Sequence, residues 1–161
     1  MGISTYAFAR TEQTVNAKNE YKGQTVMITF APADKEYKEG IAKGIAYYDS
    51  KGQMVRMEEM YTAESSKKEG AVKDIIYYDS KGKMTRTEIF YNDDFAKAEG
   101  VVKTIVYYDG NGKRVKMEGY HTDEFIKKEG IAKGIFYYDN SGKKVKTETY
   151  DKNGKLLNTA K

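Results

Sequence analysis

The chain has 161 residues, with 28 basic and 24 acidic side chains, a net charge of +4, no cysteine and no tryptophan. Disulfide and thiol chemistry are therefore excluded, no apolar run is long enough for a membrane-spanning helix, and the mixed signs argue against a nucleic-acid footprint. Hydrophobic residues make up 39% and charged residues 32%, which is thin for a thick globular core and fits a sheet with much exposed surface.

Residues 1–38 are the least regular part. Ala7-Phe8-Ala9 resembles a small-x-small cleavage site but no basic and apolar segment precedes it, so it reads either as the remnant of an export signal or as the start of a strand. Export to the periplasm or exterior is favoured over a cytoplasmic location because a tyrosine-rich hairpin array without cysteine suits the outside of the cell. Thr5 to Ala17 reads as a strand, Asn19 to Gly23 as a variant turn, and Gln24 to Phe30 as a second strand. This region is expected to be a diverged capping repeat, because terminal repeats of an array are atypical.

From residue 39 onward one pattern returns every 30 residues, in copies 39–68, 69–98, 99–128 and 129–158, followed by a tail at 159–161. Its hallmark is Tyr47-Tyr48-Asp49-Ser50-Lys51-Gly52, with the aspartate returning as Asp79, Asp109 and Asp139. A fixed period of this size marks a repeat architecture. Tyr-Tyr favours a strand, Asp opens a type I turn by binding backbone N–H groups, and Gly accepts the positive φ that closes it. A calcium loop is the competing reading of Asp109-Gly110-Asn111-Gly112, but glycine stands fourth rather than sixth and no distal glutamate closes the loop.

Each hairpin is followed by a connector such as Asn92-Asp93-Asp94-Phe95-Ala96-Lys97-Ala98. A capping residue leads, acids follow, lysines come late and Glu-Gly ends it, which is the order of a short capped helix. Phe95 and Phe125 are expected to tuck the connectors against the sheet edge. The final repeat replaces its connector with the turn Asp151 to Gly154, a short strand at Leu156-Leu157, and a fraying end at Asn158 to Lys161.

If Asp49 faces Gln53, then Tyr47 faces Val55, Ile45 faces Met57, Lys43 faces Glu59 and Ile41 faces Tyr61, making one largely apolar face. The other face pairs Tyr48 with Met54, Ala46 with Arg56, Gly44 with Glu58 and Ala42 with Met60. It would carry the row Arg56, Arg86, Lys116, Lys146, the row Glu58, Glu88, Glu118, Glu148, and an aromatic ladder of Tyr48, Tyr78, Tyr108 and Tyr138. That ladder is the candidate binding surface, against the simpler reading of cross-strand packing. His121, the lone histidine, is expected to be a surface variant of Tyr61 and Tyr91, and it makes a zinc site improbable. The glutamates recur with the repeat and complete no mechanism, so no catalytic residue, metal or cofactor is assigned and the chain is expected not to be an enzyme.

Tyr78-Asp79-Ser80-Lys81-Gly82-Lys83 with Glu88-Ile89-Phe90-Tyr91 resembles the MORN-like repeats of YwqK-type antitoxin proteins and, more distantly, the YD repeats of Rhs shells. The resemblance covers about residues 39–155 and implies an elongated antiparallel sheet that serves binding or scaffolding.

The expected fold is all-β: an antiparallel meander of 30-residue β-hairpin repeats with short helical connectors, forming an elongated sheet, with a closed up-and-down barrel as the alternative. The expected partner is a protein or a second copy of the chain. A small apolar ligand inside a barrel, or an antitoxin-like inhibitory role, stands as the alternative function.

Overall fold

The computed structural model describes residues 21–161; the strand expected between Thr5 and Ala17 and most of the turn after it lie outside them. Ten strands follow one another: β1 Thr25–Thr29, β2 Ile41–Tyr48, β3 Met54–Tyr61, β4 Ala71–Tyr78, β5 Met84–Tyr91, β6 Val101–Tyr108, β7 Arg114–His121, β8 Lys133–Tyr138, β9 Lys144–Tyr150 and β10 Leu156–Ala160. Four short helices separate hairpins: α1 Lys35–Lys38, α2 Ala63–Glu69, α3 Asp93–Glu99 and α4 Asp123–Glu129. The strands form one antiparallel sheet in chain order, and that sheet does not close into a barrel. The meander is therefore as expected, and the barrel alternative is overturned together with the enclosed ligand site it would have offered.

The tight turns form as their residues dictate. Asp49 Oδ1 accepts hydrogen bonds from the backbone N–H groups of Lys51 (2.8 Å) and Gln53 (2.9 Å), and Gly52 takes φ of 79°. Asp79, Asp109, Asp139 and Asp151 repeat this geometry. Asp109 Oδ1 thus serves the turn itself, as the turn reading requires. The first three turns also reach the next: Gln53 Nε2 donates to the Ser80 carbonyl, Lys83 Nζ to Gly110 and Lys113 Nζ to Asn140.

At the opposite end of the sheet the connectors interlock. Thr62, Asn92 and Thr122 cap α2, α3 and α4, each side chain accepting from the backbone N–H three residues on. Gly70, Gly100 and Gly130 end these helices in the left-handed region. Phe95 stacks on Tyr91 at 4.3 Å between ring centroids and lies where a Cβ on Gly70 would fall; Phe125 stands in the same relation to His121 (4.2 Å) and Gly100. Glycine is thus needed here for two reasons, its backbone angle and the ring that occupies the space of a side chain.

The pairing register departs from the expected one. Ile41 still meets Tyr61 and Tyr48 still meets Met54, but between them Tyr47 meets Arg56, Ala46 meets Met57, Ile45 meets Glu58 and Gly44 meets Glu59. Two β-bulges account for this. Val55 is the extra residue near the turn and Ala42 the extra residue near the connector, and one inserted residue exchanges the faces of everything between them. The β4–β5 and β6–β7 hairpins carry both bulges, while β8–β9 carries the one near its turn. Extra residues of this kind are left facing solvent, which is why Val55, Val72, Val102 and Val145 are exposed.

As a result the Arg/Lys and Glu rows lie on the face of Tyr47, not on the face of Tyr48. The middle row of the Tyr47 face alternates Ile45, Ile75, Ile105 and Ile135 with Glu58, Glu88, Glu118 and Glu148. On the turn side runs a row alternating Tyr47, Tyr77, Tyr107 and Tyr137 with Arg56, Arg86, Lys116 and Lys146. On the connector side Lys43, Lys73, Lys103 and Lys133 alternate with Met60, Phe90, Tyr120 and Tyr150.

The core of the other face centres on Ala46, Met57 and Ile76, with Tyr48, Met54, Tyr78 and Met84 packed against it. Among the described residues no large side chain is completely buried, as expected of one layer covered only by its own side chains. The end of the chain is more ordered than its sequence implies: Asn158, Thr159 and Ala160 pair with Thr149, Glu148 and Thr147 as part of β10.

Gly100→Ala is expected to lower stability by roughly 1–3 kcal/mol for the left-handed backbone alone, with a further loss from displacing Phe125. Gly112→Ala has similar φ (77° against 69°) and open space around it. Urea unfolding should therefore rank Gly100→Ala as the more damaging of the two; equal midpoints would remove the role given to the ring.

Candidate functional site

Strand alternation decides which side chains meet. Tyr48, Tyr78, Tyr108 and Tyr138 all fall at the last position before a turn, so they form one line along the turn side of their face. Equivalent strands are two apart, which places neighbouring members of this ladder roughly 9.5 Å from one another. The residues opposite them change along the line: Met54, Met84, Arg114 and Lys144. Tyr48 and Tyr78 pack on the apolar core, whereas Tyr138 carries the Arg114 guanidinium over its ring at 3.9 Å. The ladder expected from the sequence thus exists as a line of half-buried rings, without the Arg/Lys and Glu rows that were expected beside it.

Those rows interact with the other set of tyrosines. Arg56 lies over the Tyr47 ring at 3.8 Å, Arg86 over Tyr77 at 4.0 Å and Lys116 over Tyr107 at 3.9 Å. Each cation also pairs with the glutamate two residues on, Arg56 with Glu58 at 3.0 Å, Arg86 with Glu88 at 3.1 Å and Lys116 with Glu118 at 2.9 Å. Tyrosine hydroxyls complete the carboxylates: Tyr47 donates to Glu58, Tyr120 to Glu118, and both Tyr137 and Tyr150 to Glu148. Hydrogen bonds from Lys146, Tyr137 and Tyr150 hold Glu148 at a pKa of about 2. Burial works against the charge of Glu118, but Lys116 and Tyr120 outweigh it and its pKa is also lowered. Glu118 and Glu148 are therefore held as anions in a structural ladder.

The connector side of the Tyr48 face holds a different arrangement. Its row runs Gly44, Glu59, Asp74, Ile89, Thr104, Gly119, Gly134, Thr149. Glu59 and Asp74 stand directly opposite each other on β3 and β4. Two carboxylates at paired positions on one face disfavour simultaneous ionisation. Tyr61 donates to Asp74 Oδ2 at 2.8 Å, while Asp74 Oδ1 and the Tyr78 hydroxyl are buried without a hydrogen-bond partner. Burial raises the Asp74 pKa to about 6, despite the opposing hydrogen bond from Tyr61. Burial raises Tyr78 as well, helped by the negative charge of Glu59.

This acidic pair does not follow from the positions that recur in the sequence. Its signal is the opposite one. Asp74 stands where the other copies have Gly44, Thr104 and Gly134, and Glu59 where they have Ile89, Gly119 and Thr149. His121, expected to be a surface variant, is instead half-buried: its ring stacks on Phe125 and its Nδ1 lies 3.0 Å from the Gly100 carbonyl. Among the described residues no group of three or more His, Cys, Asp or Glu is placed to hold a metal ion, and no helix is long and apolar enough to cross a membrane.

No family model matches the chain, and no curated protein matches it. Among solved structures it is similar to a crystal structure of TarM, with 16% identity, a TM-score of 0.47, and coverage of 94% of this chain and 26% of that one. It is also similar to an S. aureus TarM mutant in complex with fondaparinux, α-GlcNAc-glycerol and UDP, with 14% identity, a TM-score of 0.37, and coverage of 95% and 25%. The chain spans about a quarter of the length of these TarM chains. The expectation that the chain is not an enzyme is not upheld: the structures it is similar to are of TarM, a glycosyltransferase. At these TM-scores the likeness transfers no site and no substrate.

The raised pKa of Asp74 sets a pH dependence. Its carboxyl binds a proton more tightly in the folded chain than an ordinary aspartate does, so its contribution to stability falls as pH rises from about 4 to about 6. Asp74→Asn is expected to be more stable than the parent chain above pH 6, with the advantage fading towards pH 4. Thermal unfolding across that window measures it; an advantage independent of pH would contradict the burial account.

Proposed function

We propose that the chain is a repeat scaffold that binds a protein partner through the Tyr48 face of its sheet. The observation that carries this reading is the contrast between the two faces. The Tyr47 face repeats nearly the same chemistry in every copy. On the Tyr48 face the middle row runs Ala46, Met57, Ile76, Thr87, Val106, Met117, Phe136, Thr147, and the row beside it changes at every strand but for the paired glycines Gly119 and Gly134. Uniform positions serve the scaffold, whereas a particular protein surface is recognised by a non-repeating set of apolar, acidic and aromatic groups. The tyrosine ladder supplies rings with polar tips, a side chain enriched at such interfaces. The resemblance to MORN-like repeats leads to the same class of role.

A photo-crosslinking residue placed at Tyr108 is expected to capture one discrete protein in the native source, and the same residue at Tyr107, on the other face, is expected not to. Capture from both faces alike, or from neither, would contradict the reading.

A second reading, self-association through the sheet edge, is favoured by β10. Among the described residues no strand pairs with its outer side, and Leu156 and Leu157 are each 47% exposed. An open apolar edge strand is a template for another strand. Sedimentation velocity over a range of concentrations is expected to show a dimer that Leu156→Lys with Leu157→Lys disperses. A strict monomer at every concentration would rule this reading out.

A further inference from the structure

The Tyr47 face has a charge asymmetry that the scaffold role does not use. Eight cations stand on it against four carboxylates, whereas on the opposite face Arg114 and Lys144 balance Glu59 and Asp74. Depth adds to the imbalance. The side chains of Arg56, Arg86 and Lys146 keep 34, 35 and 39% of their surface exposed, but the glutamates they pair with keep only 14, 13 and 11%. The carboxylates lie at the floor of the face and the cations above them, so an approaching molecule meets positive charge first. This surface is also periodic. Cations of one row recur at every second strand, about 9.5 Å apart, and the row from Arg56 to Lys146 spans roughly 29 Å. The Lys43 to Lys133 row runs parallel to it, about 13 Å away along the strands.

We infer that the Tyr47 face binds a linear acidic polysaccharide laid across the strands. Three features select this occupant. The field is positive, so the ligand is anionic. The charges repeat evenly along the face, which matches an extended polymer bearing one carboxylate or sulfate on every second sugar. The rings are already covered by the guanidinium and ammonium groups of their own strand neighbours, so they offer no bare platform for stacked nucleobases, the feature that single-stranded nucleic-acid sites rely on. Charges that ride at the surface rather than in a cavity give an affinity that salt screens strongly. The inference stands apart from partner binding at the Tyr48 face and from edge association, since it uses the opposite surface of a single chain.

Fluorescence anisotropy tests it with a labelled hyaluronate oligosaccharide, an oligothymidylate of equal charge, and a neutral dextran. Hyaluronate is expected to bind, to be released as salt is raised, and to bind at least tenfold more weakly to the variant carrying Lys73→Gln, Lys103→Gln and Lys133→Gln. Lys144→Gln, a charge change on the opposite face, is expected to leave binding unchanged. If circular dichroism shows the triple variant unfolded, the single Lys73→Gln variant replaces it, with at least a threefold loss expected. Failure to bind hyaluronate, equal or tighter binding of the oligothymidylate, or binding insensitive to the lysine changes would each overturn the inference.

Discussion

A single-layer sheet has no second layer to bury its middle against, and the whole structure follows from how that shortage is met. On the Tyr47 face the isoleucines of one strand are covered by long side chains of the strands on either side. Ile105, for example, is only 6% exposed, and its neighbours on the adjoining strands among the described residues include Glu88, Glu118, Arg86, Lys116, Phe90 and Tyr120. Aromatic rings with polar tips and cations with apolar stems suit this task, because each can lie along the sheet while its polar end reaches water or a carboxylate. The arrangement works only when neighbours are present, which is the physical reason that the unit is repeated.

Much of this was legible from the residues. Asp and Gly three apart specify a turn by chemistry local to it, and the Thr/Asn caps, late lysines and closing glycines specify the connectors in the same way. Register was harder. The two bulges of a hairpin compensate, so Ile41 with Tyr61 and Tyr48 with Met54 fit an uninterrupted ladder at both ends. Only the central pairs reveal the shift, and both faces carry apolar and charged residues, so alternation alone does not choose between them. The exposed valines at 55 and 145 mark the bulge in retrospect, because β-branched residues there had every appearance of core positions. Asp74 and Glu59 were illegible for a different reason: a reading built on what recurs overlooks the positions that do not.

The two faces divide the work of the molecule. Ion pairs, hydroxyl–carboxylate bonds and cation–ring stacks recur along the Tyr47 face, and each contributes a modest amount singly. Their value lies in the network, where a carboxylate such as Glu148 gathers Lys146, Tyr137 and Tyr150 at once. The Tyr48 face is relieved of that uniformity and accommodates a buried acidic pair, opposed glycines at 119 and 134, and methionines beside the tyrosine ladder. A buried carboxyl with an unmet oxygen works against stability, and the network behind it is what allows the fold to carry such a group.

The sheltering role of the flanking rows is tested most directly by comparing equilibrium unfolding of Tyr107→Ala and Val102→Ala. The first residue lies in the row beside Ile105, and the second is a bulge residue that is 41% exposed. Removal of the ring should cost about 1.5–3 kcal/mol, and removal of the exposed valine less than about 0.5 kcal/mol. Equal and small losses at the two positions would show that the middle row does not depend on its neighbours for cover.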